Sequence, residues 1–183
     1  MVNLSGVRTG PLEVGERVTL IDPKGRRKSV VLREGAVWHT TKGAVSHDEL
    51  IGGPEGVTVR SVGGTEYLVL RPLMSEYMVG MPREAAVIYP KDAAQIIMWA
   101  DIFPGARVLE AGVGSGALTM NLLSAIGESG HLLSIERRED FAQIAASNVD
   151  AWFSRHHPAW ELRTGDFADV VAARVEPGSI DRV

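Results

Sequence analysis

Val108-Leu109-Glu110-Ala111-Gly112-Val113-Gly114-Ser115-Gly116-Ala117-Leu118-Thr119 decides the fold. Arg107 to Glu110 reads as a short buried strand. Leu118, Leu122 and Ile126 form one face of a helix that starts near Ser115. Glycines alternate between the two. A residue without a Cβ lets the main chain turn tightly and approach a ligand where any other side chain would collide. Loops at the carboxyl ends of strands are where open α/β sheets take their ligands. By itself the loop is equally the composition of an ordinary tight turn.

The pattern continues on both sides. Upstream, Ala93, Ile96, Ile97 and Ala100 fall at helical spacing after Pro90, and Pro104-Gly105 closes that helix. Downstream, Leu132 to Glu136 is a second strand, and Phe141, Ile144, Ala145, Val149 and Trp152 mark a helix. Trp160 to Thr164 is a third strand, and Asp181-Arg182-Val183 begins a fourth. Strand alternating with helix predicts an α/β fold, a Rossmann-like parallel sheet covered by helices, over residues 90–183.

Two further acids sit at strand ends. Glu136 closes the second strand, 24 residues after Gly112, where it can accept hydrogen bonds from both hydroxyls of a ribose. Asp166 follows the third strand and can accept from the exocyclic amino group of an adenine. The spacing Gly-x-Gly-x-Gly differs from the dinucleotide fingerprint, and Leu118 stands where that fingerprint has its third small residue. Glu110 puts a carboxylate just before the loop. That would crowd a pyrophosphate and suits the ammonium or sulfonium of S-adenosylmethionine, so this cofactor is expected rather than NAD.

The first part of the chain reads differently. Val18 and Leu20 alternate into the turn residues Asp22-Pro23-Lys24-Gly25, and Arg27 to Leu32 returns as a hairpin. Ser46 caps a short turn to Ile51. Val57–Ser61 and Glu66–Leu70 flank Gly63-Gly64. A small β-rich domain, barrel or sandwich, is expected over 1–72. A Met-containing connector (Met74, Met78, Met81) is expected over 73–89.

Hydrophobic residues make up 45% and charged residues 23%, which excludes wholesale disorder, and the absence of cysteine excludes disulfides. Met1 to Gly6 has no basic start followed by an apolar stretch, and no long apolar run follows. No secretory signal or membrane contact is expected, and a cytoplasmic location is. The net charge of −4 is uneven: residues 1–80 carry ten Lys/Arg against nine Asp/Glu, residues 81–183 nine against fourteen. Lys24, Arg26, Arg27 and Lys28, with Lys91, are candidates for phosphate contact. His39, His47, His156 and His157 show no ligand spacing, so no metal is expected. His156-His157-Pro158 reads as a helix end favouring cationic side chains.

Tyr89-Pro90-Lys91-Asp92 joined to the glycine stretch resembles the prokaryotic tRNA (adenine-58-N1)-methyltransferases, of the actinobacterial type. So do Gly15-Glu16-Arg17-Val18, Asp22 to Arg27, and His39-Thr40-Thr41-Lys42-Gly43. The resemblance implies a small β domain, a class I methyltransferase domain and a homotetramer acting on tRNA. It implies that Gly114, Ser115, Gly116 and Ala117 line the cofactor, with Glu136 at the ribose and Asp166 at the adenine. Phe141 would touch the cofactor from the second helix, and Tyr89 would lie near the target base.

In that family the strand begun at Asp181 continues to a catalytic aspartate. A chain ending at Val183 is therefore expected to be an incomplete methyltransferase with little activity of its own. The alternative is a non-catalytic subunit or remnant that holds tRNA or a partner and keeps the cofactor. A methyltransferase of the same fold acting on a protein or small molecule is a further alternative.

Overall fold

The turn Asp22-Pro23-Lys24-Gly25 organises the first hairpin. Strands β1 (Arg17–Ile21) and β2 (Arg27–Val31) pair antiparallel, with Ile21 opposite Arg27. The carboxylate of Asp22 accepts from the N–H groups of Lys24 and Arg26 at 2.9 and 3.0 Å. It also accepts from the Arg26 guanidinium at 2.7 Å, and that bond above all lowers its pKa to about 2. The computed structural model describes residues 9–84 and 86–183. The first eight residues of the expected β domain, and Ala85 of the expected connector, lie outside the described residues.

Four more strands follow: β3 (Val37–Thr40), β4 (Gly43–Ser46), β5 (Val57–Arg60) and β6 (Glu66–Leu70). The order β2-β1-β6-β5 makes one antiparallel sheet, and β3-β4 is a separate hairpin. Neither closes on itself. Both pieces place residues in one core that includes Val18, Leu20, Val30, Val45, Tyr67 and Val69. The Ser46 side chain caps the 3-10 turn at His47–Glu49 as expected. Arg71 anchors this unit. Its side chain, 9% exposed, bonds Glu16 at 3.0 Å, Glu55 at 3.2 Å and the carbonyls of Gly10 and Pro11 at 3.2 and 3.0 Å.

The chain divides into two compact units, with the boundary in sequence between Glu76 and Tyr77. Helix α1 (Met74–Gly80) crosses that boundary, within the stretch expected as a Met-containing connector. It buries Tyr77 and Met78. At two turns it is too short to print a helical stripe on the sequence.

The second unit contains α2 (Pro90–Trp99), β7 (Arg107–Ala111), α3 (Ala117–Ile126), β8 (His131–Glu136), α4 (Glu139–Phe153), β9 (Trp160–Thr164) and α5 (Phe167–Arg174). Strands β7, β8 and β9 lie side by side and parallel, in sequence order. On the other edge of β7, Val108 bridges Arg182, and the Leu109 N–H donates to the Arg182 carbonyl at 2.9 Å. These are the three strands and the start of a fourth that the spacing predicts. Leu109, Leu133 and Ile135 cover one face with Val170, Val171, Val175 and Ile180. Strand alternation sends Glu110, Ser134 and Glu136 to the opposite face.

Candidate functional site

Sequence places the glycine loop at the carboxyl end of β7, and its geometry follows from its composition. Gly112, Gly114 and Gly116 all have positive φ, at 82°, 57° and 84°. Their surroundings differ. A Cβ on Gly112 or Gly114 would meet nothing within 4 Å, whereas on Gly116 it would lie 2.9 Å from Val149 Cγ2 and 3.3 Å from the Ala145 carbonyl. Gly116 is thus where α3 packs closely on α4, and Gly112 and Gly114 border open space. The helix begins at Ala117, with Gly116 as its N-cap.

Glu136 stands at the tip of β8 beside this loop. Its Oε2 accepts from the Gly114 N–H at 3.1 Å, and its Oε1 from the Arg138 N–H at 3.0 Å. The chain just before Asp166 is tied to the same point, for the Gly165 N–H donates to the Glu136 carbonyl at 3.0 Å. Glu136 is thereby bonded to the glycine loop, and the turn that carries Asp166 is tied to the tip of β8. Asp166 is exposed. Its Oδ1 caps α5 through the Ala168 N–H at 2.9 Å, while Oδ2 carries no hydrogen bond among the described residues. Phe141 lies in the first turn of α4, half-buried rather than in the core. The Arg138 guanidinium covers one ring face at 3.7 Å from the centroid, so a base would stack on the other face or displace it.

Glu110 is employed differently from the expectation. It is fully buried. Ser134 Oγ donates to it at 2.7 Å and Thr119 Oγ1 at 2.9 Å, while Trp160 Nε1 donates to Ser134 at 2.9 Å. Burial raises its pKa to about 7. Its carboxylate thus ties β7, β8, β9 and α3 together inside the unit, and direct contact with a cofactor ammonium is corrected to this interior role. The sequence names Glu110 but not its partners, because hydroxyl and indole groups are common in any core.

Tyr89 has a half-exposed ring. Its carbonyl, not its hydroxyl, starts α2, accepting from Asp92 and Ala93 at 2.9 Å each. Three of the candidate phosphate contacts are already paired: Arg26 with Asp22, Arg27 with Glu76, and Lys91 with Asp92. Lys24 and Lys28 remain exposed without an ion pair among the described residues. His157 corrects the reading of a cationic helix end. It is buried against Phe153, burial lowers its pKa, and its Nδ1 accepts from the Ala159 N–H at 3.2 Å, so the ring is neutral. The left-handed residue Ser154 ends α4 instead.

One residue of the site escaped the sequence reading. Asn148 on α4 is buried and donates to the Ser115 carbonyl at 2.9 Å and the Pro82 carbonyl at 2.8 Å. Among the described residues no group of three or more His, Asp or Glu could hold a metal, and no helix is long and apolar enough to cross a membrane.

The donors and acceptors fit an adenosine-type cofactor. Open space lies beside two left-handed glycines, a main-chain-oriented carboxylate stands at the next strand tip, and a second acid follows with one oxygen unengaged. The buried Ser115 hydroxyl has no partner among the described residues. Glycine bend and flanking acids on a parallel β7-β8-β9 sheet define a class I S-adenosylmethionine-dependent methyltransferase fold.

The chain belongs to the TrmI family: residues 10–59 match the TrmI-like N-terminal family, and residues 67–157 match the family described as the tRNA methyltransferase complex GCD14 subunit. It is 39% identical over 162 residues to the tRNA (adenine(58)-N(1))-methyltransferase TrmI of Thermus thermophilus, which covers 88% of this chain and 64% of that protein. The chain thus spans less than two-thirds of that relative. Among solved structures it is similar to an S-adenosylmethionine-dependent O-methyltransferase from Thermotoga maritima, with TM-score 0.80, 30% identity, and 86% and 58% of the two chains covered. It is similar also to the tRNA (m1A58) methyltransferase TrmI of Aquifex aeolicus, with TM-score 0.74, 29% identity, and 87% and 61% covered.

Proposed function

We propose that this chain serves in the S-adenosylmethionine-dependent methylation of N1 of adenine 58 in tRNA. The observation that carries the reading is that the likeness to a named tRNA methyltransferase extends over 88% of the chain, beyond the cofactor-binding half. A fold shared with other methyltransferases leaves the substrate open; a shared N-terminal unit narrows it. We infer on the same footing a homo-oligomer, a tetramer by the family resemblance, and a cytoplasmic location, where tRNA is found.

The cofactor supplies an electrophilic methyl group on a sulfonium. Glu136 would hold the ribose hydroxyls, Asp166 the adenine amino group, and Gly114 to Ala117 would line the remainder. Adenine N1 would take the methyl with its own lone pair as the carbon–sulfur bond breaks, leaving a neutral thioether and a positive charge on the base, so no general base is needed to create the nucleophile. Orientation is the main task of the protein. Tyr89, half-exposed at the start of α2, would lie beside the target base, and Lys24 and Lys28 would meet phosphates.

The test is transfer of radiolabelled methyl groups to an unmodified tRNA transcript. Label is expected in the natural transcript and absent when adenine 58 is replaced by guanine. Equal labelling of both transcripts would end the reading.

A further inference from the structure

We infer that Asn148 is a positioning residue that couples occupancy of the glycine loop to the ordering of the Tyr77–Pro82 segment. The inference rests on the cofactor reading above. It concerns the second unit alone.

Both acceptors of the Asn148 carboxamide are backbone carbonyls, Ser115 at 2.9 Å and Pro82 at 2.8 Å. A carbonyl cannot donate, so the amide nitrogen has to face them and spends both protons there. One rigid planar group therefore bridges the cofactor loop and the residues that follow α1. A second link runs beside it, for the Tyr77 hydroxyl donates to the Asn148 carbonyl at 3.0 Å. The loop is also held from behind. A Cβ on Gly116 would collide with Val149, so the loop packs closely on α4 there, and Asn121 ties Ala117 to Met78 through bonds of 2.8 and 3.1 Å from its amide.

On its open side the loop is fastened by the Gly114 N–H on Glu136. A ligand whose hydroxyls donate to that carboxylate enters the same hydrogen-bond set. Whatever adjustment Gly114 and Ser115 make is carried by Asn148 to Pro82, seven residues before Tyr89. The Ser115 end of this link is buried, so that carbonyl finds no water to replace the Asn148 donor, whereas the Pro82 end lies at the surface, where the segment is free to respond.

Amide hydrogen exchange with and without saturating S-adenosylmethionine tests the inference, with cofactor binding measured separately by calorimetry. In the unaltered protein the cofactor is expected to slow exchange over Tyr77–Met81 by about threefold or more, the size expected when a local opening is suppressed. In Asn148→Ala the cofactor is expected still to bind at raised concentration, with that slowing lost and slowing near Gly114 kept. A purely structural Asn148 would lower thermal stability and leave the cofactor-dependent slowing unchanged, and this result overturns the inference. If Asn148→Ala does not fold, Asn148→Ser, which can serve one carbonyl but not both, is expected to lose at least about half of the slowing; full slowing in it overturns the inference. Failure of the unaltered protein to bind the cofactor would remove the cofactor reading and this inference together. Binding without slowing at Tyr77–Met81 would remove this inference alone.

Discussion

At the scale of single residues, the two acids of β7 and β8 have opposite employments. Glu136 is oriented by main-chain N–H groups at the edge of open space, whereas Glu110 is enclosed by Ser134 and Thr119. Removing Glu136 as Ala should weaken S-adenosylmethionine binding about 10- to 100-fold, the worth of hydrogen bonds to a charged group, and lower stability by about 1–3 kcal/mol through the two main-chain donors left behind. Calorimetry and thermal unfolding on one sample check both halves. Glu110 should control stability. Burial lifts its pKa from 4.5 to about 7, so the folded state favours the protonated form. That stabilisation is full below about 4.5 and is lost as pH rises through about 7, on the order of 3 kcal/mol across the window. Glu110→Gln imitates the protonated form. Its stability relative to the unaltered protein should rise between pH 5 and 7.5 and then level; a difference flat with pH would contradict this assignment.

At the scale of elements, the glycine loop separates two requirements that one composition conceals. Gly112 and Gly116 share a left-handed φ, and either changed to Ala carries about 1–2 kcal/mol of backbone strain. Only Gly116 adds a collision, with Val149 at 2.9 Å. Gly116→Ala should therefore lower the melting temperature markedly more than Gly112→Ala, while Gly112→Ala should lose cofactor affinity out of proportion to its small stability loss. Paired melting and binding curves decide it. The parallel strands, the helices between them and the glycine loop at the end of β7 were legible in the sequence because strand runs, helical stripes and glycines are local signals. The hairpin β3–β4 was not, since its inward apolar pair, Trp38 and Val45, stands beside apolar residues such as the exposed Val37 that blur the alternation. Helix α1 was too short to show a period. Asn148 was invisible because its partners are backbone carbonyls, which every residue has. The roles of Glu110 and His157 were misjudged because burial, not sequence position, sets their charge.

At the scale of the whole molecule, division between Glu76 and Tyr77 predicts separable responses. S-adenosylmethionine should raise the unfolding transition of the unit that contains β7 to β9, by an amount set by ligand concentration over Kd. The transition of the N-terminal unit should stay in place. Arg71→Ala should do the reverse. It removes the ion pair of buried Glu16, which keeps the Glu13 N–H, and costs about 3–5 kcal/mol in the N-terminal unit. Differential scanning calorimetry of both samples checks the pair, and a single transition moved equally by both perturbations would count against independence. The Arg71 anchor carries one more consequence. It clasps Gly10 and Pro11, where this unit enters, to the residue at which its last strand has just ended. Entrance and exit are pinned side by side, the layout of a cassette. Such a module can be cut from its own chain and spliced into a surface loop of an unrelated host with its fold intact.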